Sequence, residues 1–92
     1  MTYEELEYIM DSNNTDIEFD DDYKGDLTLA GLNILQELFP GELVITGADY
    51  GVVCGPTLRR LYDRGVTREQ AIRLVELTWF YNEEYGCLIS YV

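Results

Sequence analysis

The sequence predicts an α+β fold in one domain, with about four helices, a small and mainly antiparallel sheet, and a long C-terminal helix at the core. Three observations predict it. Thr67 to Tyr85 carries apolar residues at helical spacing; LVIT, GVVC and CLISYV are short β-rich runs; and 92 residues, 47% of them apolar, hold one modest core and no second one.

Thr2 to about Met10 reads as the first helix. Thr2 and Glu5 have the spacing of a capping box, and the early glutamates favour the positive helix end. Tyr3, Leu6, Ile9 and Met10 fall on one side, leaving Glu4, Glu5, Glu7, Tyr8 and Asp11 on an acidic opposite face. Asp11 to Asn14 are short polar residues suited to a turn. From Asp16, Ile17 and Phe19 alternate with Asp16, Glu18 and Asp20, which predicts a strand with one wet face running into Asp21, Asp22 and Tyr23.

Leu29 to Phe39 is the second predicted helix, with Thr28 as its cap and Pro40 and Gly41 as its stop. Within it LTLAGLNIL resembles one leucine-rich repeat, but such repeats need neighbours and the chain holds no second copy. Leu43 to Thr46 and Gly51 to Cys54 read as a hairpin; neither alternates cleanly, so one strand is expected to be buried on both faces. Pro56 to Gly65 opens and closes a third helix.

The fourth helix spans Thr67 to Tyr85, with Thr67 and Gln70 as a capping box and Gly86 as its left-handed end. Ala71, Ile72, Leu74, Val75, Leu77, Trp79 and Tyr81 sweep over half of its circumference, which requires burial; Phe80 falls among the acids of the remaining arc. Cys87 to Val92 reads as a final strand joining the hairpin.

Charge is the strongest compositional signal. The net charge is −12, and all of it lies in residues 1–58, which hold thirteen acids and only Lys24; residues 59–92 hold five of each sign. Such a chain is repelled by nucleic acid and anionic membranes and attracted to basic surfaces. No run approaches the roughly 20 apolar residues of a membrane span, and the N-terminus is acidic where a signal peptide is basic, so a soluble cytoplasmic protein is expected. Cys54 and Cys87 are expected as free thiols in a reducing compartment.

Catalytic signatures are missing. Histidine is absent, which removes the usual general base and the commonest metal ligand. A calcium loop begun at Asp20 fails at Lys24 and at Gly31, where an oxygen ligand and a glutamate belong. The glycines at 47, 51 and 55 lack the GK[ST] of a phosphate loop. Arg59, Arg60, Arg64, Arg68 and Arg73 follow a helix, turn, helix order, but with so many acids in the chain they are expected to pair internally and not to grip DNA. The reading is non-enzymatic, without metal or cofactor.

Small, acidic, histidine-free chains with segments such as EELEYIMD and DIEFDDDY resemble the phage and mobile-element inhibitors of the anti-CRISPR and anti-restriction type, in composition and size and in no motif. The resemblance implies a cofactor-free inhibitor in the host cytoplasm that binds a basic, nucleic-acid-handling surface such as a CRISPR effector complex. The expected contact set is Glu4, Glu5, Glu7, Asp11, Glu18, Asp20, Asp21 and Asp22, with Tyr8, Tyr23, Tyr50 and Phe80 as aromatic contacts. The alternative is an acidic adaptor or assembly module that binds its partner through an apolar patch around Phe80 and Tyr85.

Overall fold

The computed structural model describes residues 1–91. The chain runs α1 (Tyr3–Met10), α2 (Leu27–Leu38), β1 (Gly47–Asp49), β2 (Val52–Cys54), α3 (Leu58–Asp63), α4 (Arg68–Glu76), β3 (Phe80–Asn82) and β4 (Cys87–Tyr91). The strands form one antiparallel sheet in the order β1-β2-β4-β3. The α+β class and the helix count are as expected. Val92, assigned to the last strand from its sequence, lies outside the described residues.

The principal correction concerns the C-terminal region: the long helix is not there, and the last element is a strand. α4 stops at Glu76. Thr78 N–H bonds to Val75 O and Trp79 N–H to Leu74 O, the paired bonds of a Schellman motif, with Thr78 at φ 69° in the position glycine usually takes. A β-branched residue at positive φ is strained. Two tertiary contacts hold the strain: the Thr78 hydroxyl meets Ser90 Oγ at 3.1 Å, and the neighbouring Trp79 enters the core fully buried. Phe80 to Asn82 then pair with Cys87 to Ile89, so Gly86, at φ 70°, closes a hairpin and not a helix. Burial of Trp79 in the core, with pairing of Phe80 and Tyr81 to β4, outweighed the helical period.

Three smaller boundaries move for local reasons. Asp26, not Thr28, caps α2 by accepting Leu29 N–H, because the Thr28 hydroxyl is bonded to Ser90 Oγ at 2.7 Å. The hairpin uses Gly47–Asp49 in place of Leu43–Thr46, since Tyr50 and Gly51 both take positive φ and form the two-residue turn that sets the register. Thr57, following a buried Pro56, caps α3. The strand expected at Asp16 to Asp20 does not form: Asp11 and Asn14 side chains accept the backbone N–H groups of Asn13 and Asp16, and these local turns replace ladder bonds. Both expected capping boxes, at Thr2 and at Thr67, are present.

The sheet has two unlike faces. Val53, Tyr81 and Leu88 turn toward the helices and join the main core of Leu6, Met10, Leu35, Leu61, Leu74 and Trp79. Val52, Cys87 and Ile89, with Cys54 and Phe80, turn outward into a second, smaller cluster. Two-sided burial therefore falls on β4, whose residues 87–90 are all buried, and not on the hairpin.

Gly31 of α2 and Gly55 after β2 both lie against the Trp79 indole; a Cβ at Gly31 would overlap the ring, and one at Gly55 would lie 3.0 Å from it. Alanine at Gly31 should gain about 1 kcal/mol of helix propensity but lose more to overpacking, which costs about 1–3 kcal/mol. Gly31→Ala is expected to lower Tm by roughly 5 °C or more, read by thermal unfolding with the single tryptophan as reporter; an unchanged or raised Tm would show that the indole seat is loose.

Candidate partner-binding surface

Charge distribution in the folded chain decides which acids face outward unpaired. Arg68 pairs with Glu5 at 2.9 Å, Arg73 with Asp20 at 2.8 Å and Glu76 at 3.3 Å, Arg59 with Asp63 at 3.4 Å, and Arg60 and Arg64 share Glu42 at 3.7 and 2.6 Å. All five arginines are thus engaged within the chain. Two members of the expected contact set, Glu5 and Asp20, are neutralised this way. Glu5 also closes the α1 capping box, and the Thr2 backbone bond holds its carboxyl below the usual carboxylate range.

Asp20 has a structural task. Its N–H bonds to Glu76 O and its carboxylate to Arg73, which moors the irregular loop 12–25 to the end of α4. The Asp20 carboxylate, and secondarily Glu76, pushes the Arg73 guanidinium further up. Tyr23 lies beneath the same guanidinium, 5.8 Å from its carbon, and so belongs to this mooring.

The remaining acids of α1 and the loop come together at Asp11. A groove of about 510 Å³ is lined by Asp11, Glu18 and Asp21, with Ile17, Phe19, Val75 and Phe80 contributing its apolar wall. Asp11 also borders a depression with Tyr8 and Asp16, and another with Glu7, Tyr81 and Glu83. Tyr8 continues into a fourth, beside Glu4 and Arg68. Shared residues make these one acidic strip from Glu4 to Asp21. Asp22 is exposed on the loop but lines none of these hollows.

The contact that joins helix to loop is a hydrogen bond from the Tyr8 hydroxyl to the Asp16 carboxylate, which pushes the phenol above its ordinary value. Asn14 reinforces it by donating to the Tyr8 and Ile9 carbonyls at the end of α1. On the sheet side, Asp11 bridges to Tyr81 of β3, so the strip borders the β3 edge. Tyr50 projects fully exposed from the β1–β2 turn at the other edge, about three strand spacings or 14 Å away. The structure therefore does not bring Tyr50 to the acidic strip.

The outer face of the sheet carries a second exposed feature. Phe19 stacks on Phe80 with centroids 6.3 Å apart, and Phe80 meets Tyr91 at 5.9 Å. Phe19 is 47% and Tyr91 60% exposed. Tyr85 reaches the same face, where partial burial and then Asp49 raise its phenol. Beneath them the Cys87 thiol is pushed up by burial and by Cys54; both cysteines are free.

Asp16, Glu83 and Phe19 are the functional candidates that sequence reasoning passed over. Glu83 was hidden because a continuous helix placed it on another surface; Phe19, because an alternating strand would have turned it inward. Among the described residues no cluster of His, Cys, Asp or Glu is arranged to hold a metal, and no helix is long and apolar enough to cross a membrane. Compared with known protein families, curated proteins and solved structures, the chain matches none.

Because the phenol is raised, the stabilising Tyr8 to Asp16 contact is fully present below the ordinary tyrosine value and is lost as pH climbs through the raised one. Ultraviolet pH titration, with Tyr8→Phe as the difference reference, should show Tyr8 ionising late and Asp16→Asn returning it to the ordinary value. A Tyr8 that ionises normally in the parent protein would mean that helix and loop are not joined there.

Proposed function

We propose that this protein is a non-enzymatic acidic inhibitor that binds a basic, nucleic-acid-accepting surface of a larger complex, in the manner of anti-CRISPR and anti-restriction proteins. The observation that carries the reading is the division of charge: the arginines are consumed inside the chain, while Glu4, Glu7, Asp11, Asp16, Glu18 and Asp21 line a strip without a cation partner among the described residues. Like charges held together without compensation destabilise a compact state, so a partner that neutralises them gains that repulsion back.

Scale agrees with the reading. The domain measures 30 × 30 × 25 Å, and about 30 Å of duplex at one charge per 1.7 Å shows roughly 18 negative charges, comparable with a net charge of −12. The acids would meet lysines and arginines that otherwise hold phosphates.

The outer-face aromatics favour a second reading, an adaptor that binds through Phe80, Tyr85 and Tyr91, since exposed aromatic clusters mark protein contacts. Salt separates the two.

With the tagged protein as bait in host lysate, washes of rising salt and then added heparin should release a nucleic-acid-handling complex. Joint charge reversal at Glu7, Asp11, Glu18 and Asp21 should abolish capture, at least tenfold, while reversal of Glu37 and Glu69, which lie outside the strip, leaves it intact. A partner that survives high salt and the quadruple variant, but is lost on Tyr91→Ser, would overturn the inhibitor reading in favour of the adaptor.

A further inference from the structure

The chain has a recurrent way of holding arginine. Arg59 lies over Tyr3 and Tyr62, at 5.4 and 5.9 Å, while pairing with Asp63; Arg60 and Arg64 lie over Phe39, at 4.8 and 4.7 Å, while pairing with Glu42; Arg73 lies over Tyr23 while pairing with Asp20. Among the described residues, Arg68 alone has a carboxylate and no ring. Each of the other four lies over a ring and also pairs with a carboxylate. A planar guanidinium offers a flat face to a ring and an N–H edge to a carboxylate, so the two kinds of contact are compatible on one cation.

The groove at Asp11 sets the same two ingredients side by side. Phe19 and Phe80 are stacked within 16° of parallel, with Phe19 half exposed, and the carboxylates of Asp11, Glu18 and Asp21 line the same hollow. None of the chain's own arginines lines it. Ile17 and Val75 supply apolar surface of the kind that covers a methylene stem.

Resting on the inhibitor reading above, we infer that this groove is a docking site for an arginine side chain of the partner's basic segment, stacked on Phe19 and bonded to the flanking carboxylates. Lysine is the weaker occupant. Its ammonium is a compact, strongly hydrated point charge that meets a carboxylate well but has no planar face to lay on a ring. The inference narrows the partner from any basic surface to one that leads with arginine. A volume of about 510 Å³ leaves room for the backbone and neighbours of that residue.

The test uses two synthetic peptides of equal length and charge, one alternating arginine with glycine and the other lysine with glycine. Each is titrated into the full-length protein at low salt, with affinity from calorimetry and location from amide chemical-shift changes. The arginine peptide should bind about threefold or more tightly, with the largest shifts at Asp11, Glu18 and Phe19. Phe19→Leu, at a half-exposed position, should erase that preference by weakening the arginine peptide more than the lysine peptide. Asp11→Asn with Glu18→Gln should weaken both peptides.

Equal affinity for the two peptides, a preference that survives Phe19→Leu, or shifts centred away from the groove would each overturn the arginine site. Equal, salt-sensitive binding that is lost in the carboxylate variants would do so while leaving the inhibitor reading standing. Failure of both peptides, together with capture that resists salt, would bring down both.

Discussion

The burial of Trp79 is the constraint on which the other contacts depend. Its ring is fully enclosed, with Gly31 on one side and Gly55 on the other, and its indole N–H donates to Thr28 O at 2.9 Å. One side chain thus ties α2, the end of β2 and the start of β3 together. Removing roughly 150–250 Å² of ring surface from water contributes about 4–6 kcal/mol, a large part of the net stability of a domain this small. Ser90, buried on the neighbouring strand, is satisfied by the Thr28 and Thr78 hydroxyls, so the polar atoms around the indole cost little. Thr78 holds a strained backbone because that conformation turns the chain from α4 into the core at the residue where the indole must enter.

Electrostatics works against this core and is arranged accordingly. Exposed ion pairs contribute about 0–1 kcal/mol each, and most of those made by the arginines are of that kind. Their larger effect is positional. Arg73 with Asp20 secures a loop that has no secondary structure, and Arg60 and Arg64 fix the Glu42 turn beside α3. The arginines serve the architecture, which leaves the strip around Asp11 without a cation partner among the described residues. An apolar wall of Phe19 and Phe80 beside those carboxylates distinguishes the surface from a uniform run of phosphates.

Legibility followed the range of the interaction. α1 was plain in the sequence because its cap and its apolar side lie within nine residues. The same holds for the Thr67 cap of α4. The candidate strip was partly legible: Glu4, Glu7, Asp11, Glu18 and Asp21 of the expected set line it, whereas Glu5 and Asp20 are drawn off by arginines sixty-three and fifty-three residues away. No local pattern announces partners at that separation.

The sequence by itself determined an α+β domain without histidine, strongly acidic in its first 58 residues, with four helices, the caps of two of them, and a short antiparallel sheet. These come from caps, periodicity and composition, which act over a few residues or over the whole chain. Only the tertiary structure decided that Thr78 to Asn82 leaves the helix for a strand, since the pull comes from β4 and from the enclosed indole. It also decided which acids stay unpaired and which aromatic rings lie beside them. Those are matters of three-dimensional proximity, settled when distant segments compete for the same few arginines.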